Sequence, residues 1–436
     1  MKKINIKGVN EVIYYEKLDN GMEVYLYNNN RYHNNIVTFT TKFGSIYNEF
    51  IPNGEKDFIK VPNGIAHFLE HKLFAQEQDP QPMEFYAKTG TMCNAYTTFK
   101  NTTYLFYGTN NLIENINFLL DYVQSPYFTE ENVESEKGII NEEINMCDDR
   151  PTDILYDEIR RCIFKKNNFK ESIIGTHGEV NSITKDLLYT CYNTFYHPSN
   201  MFLVITGSFD PEEVLNSIKE NQNKKEFAKT FKTSVKEIKE PDEVVKEKSI
   251  ININTDIPKY SYNVKIPYLK DIDKRKLSLY LYIMLSSLFD DTSDFDYTLK
   301  EAGIITNSVY FNVLNCDTHI LLSLINETPK YKELDKKITE IFADLNVLEK
   351  DFERKKRVLV SNEIYLYDNI ELVNDMIVDN ILFDNTLKDD VIPMIKELNY
   401  EEFVGVISKL NTKNISRVIV EKQKNEKTNN KPSEKK

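Results

Sequence analysis

Cysteine is scarce in this chain, with five in 436 residues, at positions 93, 147, 162, 191 and 316. They are odd in number, scattered and without a C-x-x-C pair, which excludes a disulfide framework and points to a reducing compartment. The first residues, Met-Lys-Lys-Ile-Asn-Ile-Lys-Gly, lack the apolar stretch of a secretory signal, and no run approaches the length of a membrane span. A cytoplasmic protein is therefore expected. Positive charge is in deficit: lysine and arginine total 55 against 68 acidic residues, a net charge of −13. Neither nucleic acid nor an anionic membrane would attract such a surface, so neither is expected as a partner. Much of the excess is a solvated exterior, and it is compatible with basic peptides as ligands.

What is present centres on residues 64–74, Gly-Ile-Ala-His-Phe-Leu-Glu-His-Lys-Leu-Phe. His67, Glu70 and His71 have the spacing H-x-x-E-H. On a helix the two histidines stand one turn and about 40° apart, so both imidazoles point the same way with Glu70 beside them. That is half of a zinc site with a candidate base next to it, because a catalytic zinc takes three protein ligands and leaves one position open. The plainer reading is a chance histidine pair on a half-buried helix. The motif needs a third ligand.

A helical pattern from Thr129 to Cys147 offers one. Measured from Glu136 at about 100° per residue, Ile139, Ile140, Ile144, Met146 and Cys147 fall within about 80° and define an apolar face. Glu143 lies near the middle of that face, whereas Glu142 points about 120° away. A carboxylate among apolar side chains needs a partner, and a metal ion is one. Glu143 is therefore the expected third ligand. Glu136, two turns earlier on the same face, is expected to orient a ligand or handle protons. Two alternatives stay open: Cys147 as a sulfur ligand, and Glu136 as a plain ion-pair partner of a lysine.

Around these helices, strand-like and helix-like runs alternate in blocks, which indicates an α+β fold with mostly antiparallel sheet. A hairpin is expected over 11–28 with its turn at Asp19-Asn-Gly21, then strands at Ile36–Phe43, Thr91–Thr98 and Thr103–Gly108, and a helix at Leu112–Gln124. The glycines around His177 predict a mobile loop near a cleft, and His197, before Pro198, reads as a turn residue. The boundaries expected are a first domain over 1–222, a charged linker over 223–248, a second domain over 249–421 with the same order of elements and no zinc residues, and a disordered tail over 422–436.

The run His67-Phe-Leu-Glu70-His71, followed some seventy residues later by Glu136-Lys-Gly-Ile-Ile-Asn-Glu142-Glu143, resembles the inverzincin zinc metallopeptidases of the pitrilysin, insulysin and mitochondrial processing peptidase group, the short bacterial members above all. The resemblance implies two similar domains forming half of a clamshell chamber. It implies a zinc-dependent endopeptidase acting on unfolded peptides or peptide precursors, with Glu70 as the base. It also implies that Asn94, Ala95, Tyr96 and Thr97 belong to an edge strand that pairs with substrate. Many members carry an Arg and a Tyr in the second domain that reach the reaction centre. Here no arginine lies between Arg275 and Arg354, and Tyr310 reads as a strand residue. The resemblance thus implies a homo- or heterodimer in which a related subunit supplies those groups. The alternatives are a non-catalytic or partner-dependent structural subunit and, less consistent with three ligands, a zinc-stabilised binding module.

Overall fold

Two strands in which every residue is buried, Asn35–Thr41 and Met201–Gly207, form the middle of the first sheet. Near-continuous apolar runs suit that position, since both faces are covered. The computed structural model describes residues 1–228 and 231–422. In chain order the first part has β1 (Lys2–Ile6), β2 (Glu11–Lys17), β3 (Glu23–Asn28), β4 (Asn35–Thr41), β5 (Glu49–Ile51), β6 (Ile59–Lys60), α1 (Ile65–Leu73), α2 (Pro82–Lys88), β7 (Met92–Thr97), β8 (Thr102–Gly108), α3 (Leu112–Val123) and α4 (Glu130–Asp148). It continues with α5 (Pro151–Ile163), α6 (His177–Ser182), α7 (Lys185–Phe195), β9 (Met201–Gly207), α8 (Pro211–Asn223) and β10 (Ser234–Val235). The second part has β11 (Lys248–Ile253), β12 (Lys259–Pro267), α9 (Lys274–Phe289), α10 (Asp294–Glu301), β13 (Tyr310–Asn315), β14 (His319–Glu327), α11 (Tyr331–Ala343), α12 (Glu349–Tyr365), α13 (Ile370–Asp384), α14 (Val391–Glu397), α15 (Tyr400–Ile407) and β15 (Ile415–Lys422).

The larger sheet runs β1-β2-β3-β9-β4-β8-β7 and the other main sheet runs β11-β15-β12-β14-β13. Five strands of the first sheet repeat in the second. β3 is parallel to β9, and β9-β4, β4-β8 and β8-β7 are antiparallel. In the same way β11 is parallel to β15, and β15-β12, β12-β14 and β14-β13 are antiparallel. The repeat expected from element order is thus a repeat of topology, and the α+β reading with mostly antiparallel sheet describes both. Tyr310 opens β13, the edge strand that corresponds to β7, and is 56% exposed.

The contacts divide the chain differently from the linear boundaries expected. One unit comprises Met1–Cys147, Lys166–Glu240 and Glu349–Gly405, and the other Asp148–Lys165, Pro241–Leu348 and the chain from Val406 onward. The reason is two helices. α5 buries Leu155, Ile159, Cys162 and Ile163 and packs on β12, β15 and β11. α13 packs on β9 and β4, where Val373, Ile377, Val378 and Ile381 join Tyr25, Tyr27, Phe202 and Val204 in one cluster. Each sheet is covered by a helix from the other half of the sequence. The stretch read as a linker also makes contacts: β10 pairs with β5, and the Glu240 carboxylate accepts from the backbone N–H of Lys166 and Asn167, each at 2.7 Å. Backbone pairing needs no apolar side chains, so composition did not reveal it. Of the expected tail, residues 423–436 lie outside the described residues.

In the second unit Lys265, fully buried on β12, donates to the carbonyl of Ile163 at the end of α5 (3.1 Å) and to those of Pro241 (2.6 Å) and Glu243 (3.2 Å). Lys265→Met would leave three carbonyls without that donor. It is expected to destabilise the protein by roughly 2–4 kcal/mol, which a shift in the urea unfolding midpoint at unchanged slope would register.

Candidate metal centre

Gly64 caps the start of α1, and its φ of +83° is the left-handed conformation that glycine adopts without strain. Ile65, Ala66, Phe68, Leu69 and Leu73 face the core, so His67, Glu70 and His71 are carried on a helix held by its apolar side. The His67 and His71 rings lie 4.5 Å apart between centroids. α4 brings Glu143 opposite them: its Oε2 is 3.6 Å from Nε2 of His67 and 3.6 Å from Nε2 of His71. Among the described residues these three form a group whose donor atoms all lie within 4.8 Å of one another.

Donors around a tetrahedral zinc, each about 2.0–2.2 Å from the ion, stand about 3.3–3.6 Å apart. The two 3.6 Å separations from Glu143 fit a catalytic zinc held by two imidazoles and one carboxylate, and a closed structural site would need a fourth protein ligand. The charge state of His67 fits as well. Burial, reinforced by neighbouring His71, pushes His67 down to about 3, so its imidazole is neutral and offers a lone pair. Burial works against a charge on His71, but the hydrogen bond with Glu136 and the carboxylates of Glu70 and Glu143 outweigh it and raise its pKa.

Glu136 lies behind His71, with Oε1 3.0 Å from Nδ1, and its other oxygen takes the ammonium of Lys72 at 3.3 Å. Burial would raise the Glu136 carboxyl, yet His71 and Lys72 hold it below its ordinary range. It faces both partners considered for it, a histidine and a lysine. The carboxylate fixes the ring orientation and leaves Nε2 free for a metal. Glu136→Gln is expected to weaken zinc binding roughly 10- to 100-fold, measurable by competition with a chromogenic chelator.

Glu70 is buried, and its Oε2 accepts from the Thr97 hydroxyl at 2.6 Å. Burial raises the Glu70 pKa, while the Thr97 hydrogen bond and His71 oppose the rise. The strand β7 that carries Thr97 is the last of its sheet and alternates in exposure: Ala95 and Thr97 turn inward, and Asn94 and Tyr96 turn outward. Among the described residues no further strand pairs with its outer edge. Thr97 is thus placed against the Glu70 carboxylate, a contact between distant residues that edge-strand pairing alone does not suggest. Lys72 went unnoticed in the sequence, although it directly follows His71.

The apolar face expected on α4 needs correction. Val133, Ile140 and Ile144 are buried, whereas Ile139 is 58% and Met146 63% exposed. The buried stripe is narrow and the two glutamates sit on its border, with Glu143 half-open to solvent. The donors nevertheless converge on Glu143 and not on exposed Glu142, and Cys147 is not in the group. His177 does not sit in a loop but opens α6, with Thr176 as its cap. His197 stands at a turn, as expected, with Nδ1 2.8 Å from the Ser199 hydroxyl.

Residues 60–177 match the model of Insulinase (Peptidase family M16), and residues 182–359 match that of the Peptidase M16 inactive domain. An uncharacterized zinc protease of Bacillus subtilis, YmfH, is 35% identical over 413 residues, 93% of this chain and 96% of that protein. The chain belongs to peptidase family M16. The M16-like peptidase structure from Alicyclobacillus acidocaldarius superposes with a TM-score of 0.89 at 29% identity, covering 94% of this chain and 98% of that one. The Dictyostelium discoideum mitochondrial-processing peptidase subunit beta is 24% identical over 163 residues, 36% of this chain and 35% of that protein. This M16 chain is therefore a homologue of zinc proteases. Among its described residues no helix is long and apolar enough to cross a membrane.

Proposed function

We propose that the chain is a zinc-dependent endopeptidase that cleaves unfolded peptides or peptide precursors. The observation that carries the reading is the convergence of His67, His71 and Glu143 within 4.8 Å, with the buried carboxylate of Glu70 on the same helix. A zinc ion held by the three residues supplies a Lewis acid that acidifies water and polarises a peptide carbonyl. Glu70 takes the proton at its carboxylate and returns it to the leaving amine. The hydroxyl of Thr97 holds one Glu70 oxygen, which leaves the other for the proton. Glu136 keeps the His71 ring turned, and the open edge of β7 at Asn94–Thr97 accepts an extended peptide through backbone pairing. A segment that must add as a strand is supplied by an unfolded chain and not by a folded domain.

The work is assigned to a two-chain peptidase with an enclosed chamber, in which this chain is the catalytic subunit and a related subunit supplies an Arg and a Tyr. The absence of arginine between Arg275 and Arg354 supports this assignment, as does the similarity to a protein named as a processing-peptidase subunit. A partner-dependent subunit that is silent alone is the second reading, favoured by the same missing arginine. The five free cysteines support a cytoplasmic setting.

The test is mass spectrometry of an unstructured peptide pool incubated with the zinc-loaded chain, with Glu70→Gln as control. Cleavage that the control lacks is expected of a self-sufficient enzyme. Intact peptides in the presence of bound zinc would move the assignment to the partner-dependent reading.

A further inference from the structure

The segment around the Gly175-Thr-His-Gly178 run takes no part in the chemistry above, yet it touches both helices that supply the metal donors. At α1, the backbone of Gly64 lies directly against that of Ile174 and Gly175. A Cβ on Gly175 would come 2.6 Å from the carbonyl oxygen of Asn63, and one on Gly64 would run into the carbonyl of Ile174. Both glycines have positive φ, +83° and +77°, so neither tolerates a side chain on space or on conformation.

Beside this contact the buried Asn63 amide donates to Glu179 Oε1 at 2.5 Å and accepts from Asn48 at 2.5 Å. Glu179 is itself held by Thr176, whose backbone N–H and hydroxyl reach Oε2 at 3.1 and 2.8 Å. At α4, His177 Nδ1 is 2.6 Å from Asn141 Oδ1, and the Asn141 amide donates to Asn181 at 2.9 Å. Asn141 lies two residues before Glu143. Val180 and Ile183, both fully buried, fix the segment in the core between these two attachments.

We infer that residues 174–182 form a strap that sets the separation of α1 from α4, with His177 and Asn63 as positioning residues for zinc that touch neither the ion nor the substrate. The inference rests on the zinc-site reading of His67, His71 and Glu143. Its chemistry is simple. A tetrahedral ion tolerates little error in donor distance, and the histidines and Glu143 come from separate helices, so whatever fixes the gap between those helices tunes affinity. The pair of His71 and Lys72 with Glu136 ties the helices at one place. The strap ties the start of α1 to α4 at another, which stops α1 from pivoting about the Glu136 contact.

The experiment compares zinc dissociation constants by chelator competition for the full chain and for His177→Ala, His177→Asn, Asn63→Ala and the double variant Asn63→Ala/His177→Ala. Circular dichroism of the metal-free proteins reports folding. The Co2+ absorption bands of each loaded protein report donor geometry. Both alanine variants are expected to weaken zinc roughly tenfold, in line with the loss of a residue that orients ligands. Asn at 177 keeps a donor in place of Nδ1 and should restore wild-type affinity and the wild-type Co2+ spectrum. Because both attachments act through one strap, cutting the second adds little, and the double variant should bind within about threefold of the singles. Affinity unchanged in both single variants, or losses that multiply to about a hundredfold in the double, would overturn the inference. So would a failure of asparagine to rescue. Position 177 is exposed, so its two variants decide the matter even if Asn63→Ala does not fold. A wild-type chain that binds no zinc overturns the site reading and the inference together, whereas wild-type binding with unaffected variants overturns the strap alone.

Discussion

Glu70→Gln is expected to bind zinc like the wild type and to lose turnover by roughly 10²- to 10⁴-fold, the contribution of a positioned general acid-base. Glutamine has nearly the shape of glutamate, and its amide oxygen can still accept from the Thr97 hydroxyl that now sits 2.6 Å away. The substitution also removes a charge from a residue only 7% exposed, so folding does not suffer for want of solvation. What disappears is the ability to take a proton. Steady-state cleavage of a quenched peptide, with metal content measured on the same sample, separates the two effects. A variant that cleaves at the wild-type rate would remove Glu70 from the mechanism.

Glu143→Gln is expected to act in the opposite order, with metal lost first and activity following. Glu143 Oε2 faces the Nε2 atoms of both histidines at 3.6 Å and is the one carboxylate in the donor group. An amide oxygen is a neutral and weaker donor to zinc. The loss of affinity should therefore exceed the roughly 10- to 100-fold that follows removal of an outer partner such as Glu136. Dialysis against a chelator followed by elemental analysis measures it. Raising free zinc should recover part of the activity of this variant and none of that of Glu70→Gln. Unchanged metal content after dialysis would mean that the third ligand is another residue.

The readable parts of the site were those whose geometry lies within one helix. His67, Glu70 and His71 are neighbours on a single turn and a half, so their spacing already fixes where the side chains point. Glu143 could be separated from Glu142 by helical angle, although the burial argument behind that choice was too strong, since Ile139 and Met146 face outward. The convergence of the two helices could not be read, because it depends on packing between segments some seventy residues apart. The same holds for the Thr97 hydroxyl at Glu70, for Glu136 bridging His71 and Lys72, and for Asn63 meeting Glu179. Each is a hydrogen bond between distant positions and leaves no periodicity behind. In the fold, the long helices α3 and α4 were legible from their apolar spacing. α5, α7, α13 and the short helices after it were not recognised, and β10 has no apolar pattern at all.

The two helices that cross between the halves of the sequence bear on how such a chain can be taken apart. The segment 1–222 contains every proposed zinc donor, yet it lacks α13, so the Tyr25, Tyr27, Phe202 and Val204 side of its sheet would stand bare. The segment from 249 onward keeps its five strands and lacks α5, whose four buried side chains belong to that sheet. The piece that can be inherited or excised as a run of residues and the piece that is stable by itself are therefore different objects. Because each half of the sequence lends a helix to the other half's sheet, a truncated gene delivers neither half intact, and the second half completes the packing of the first even though none of its described residues joins the group of metal donors.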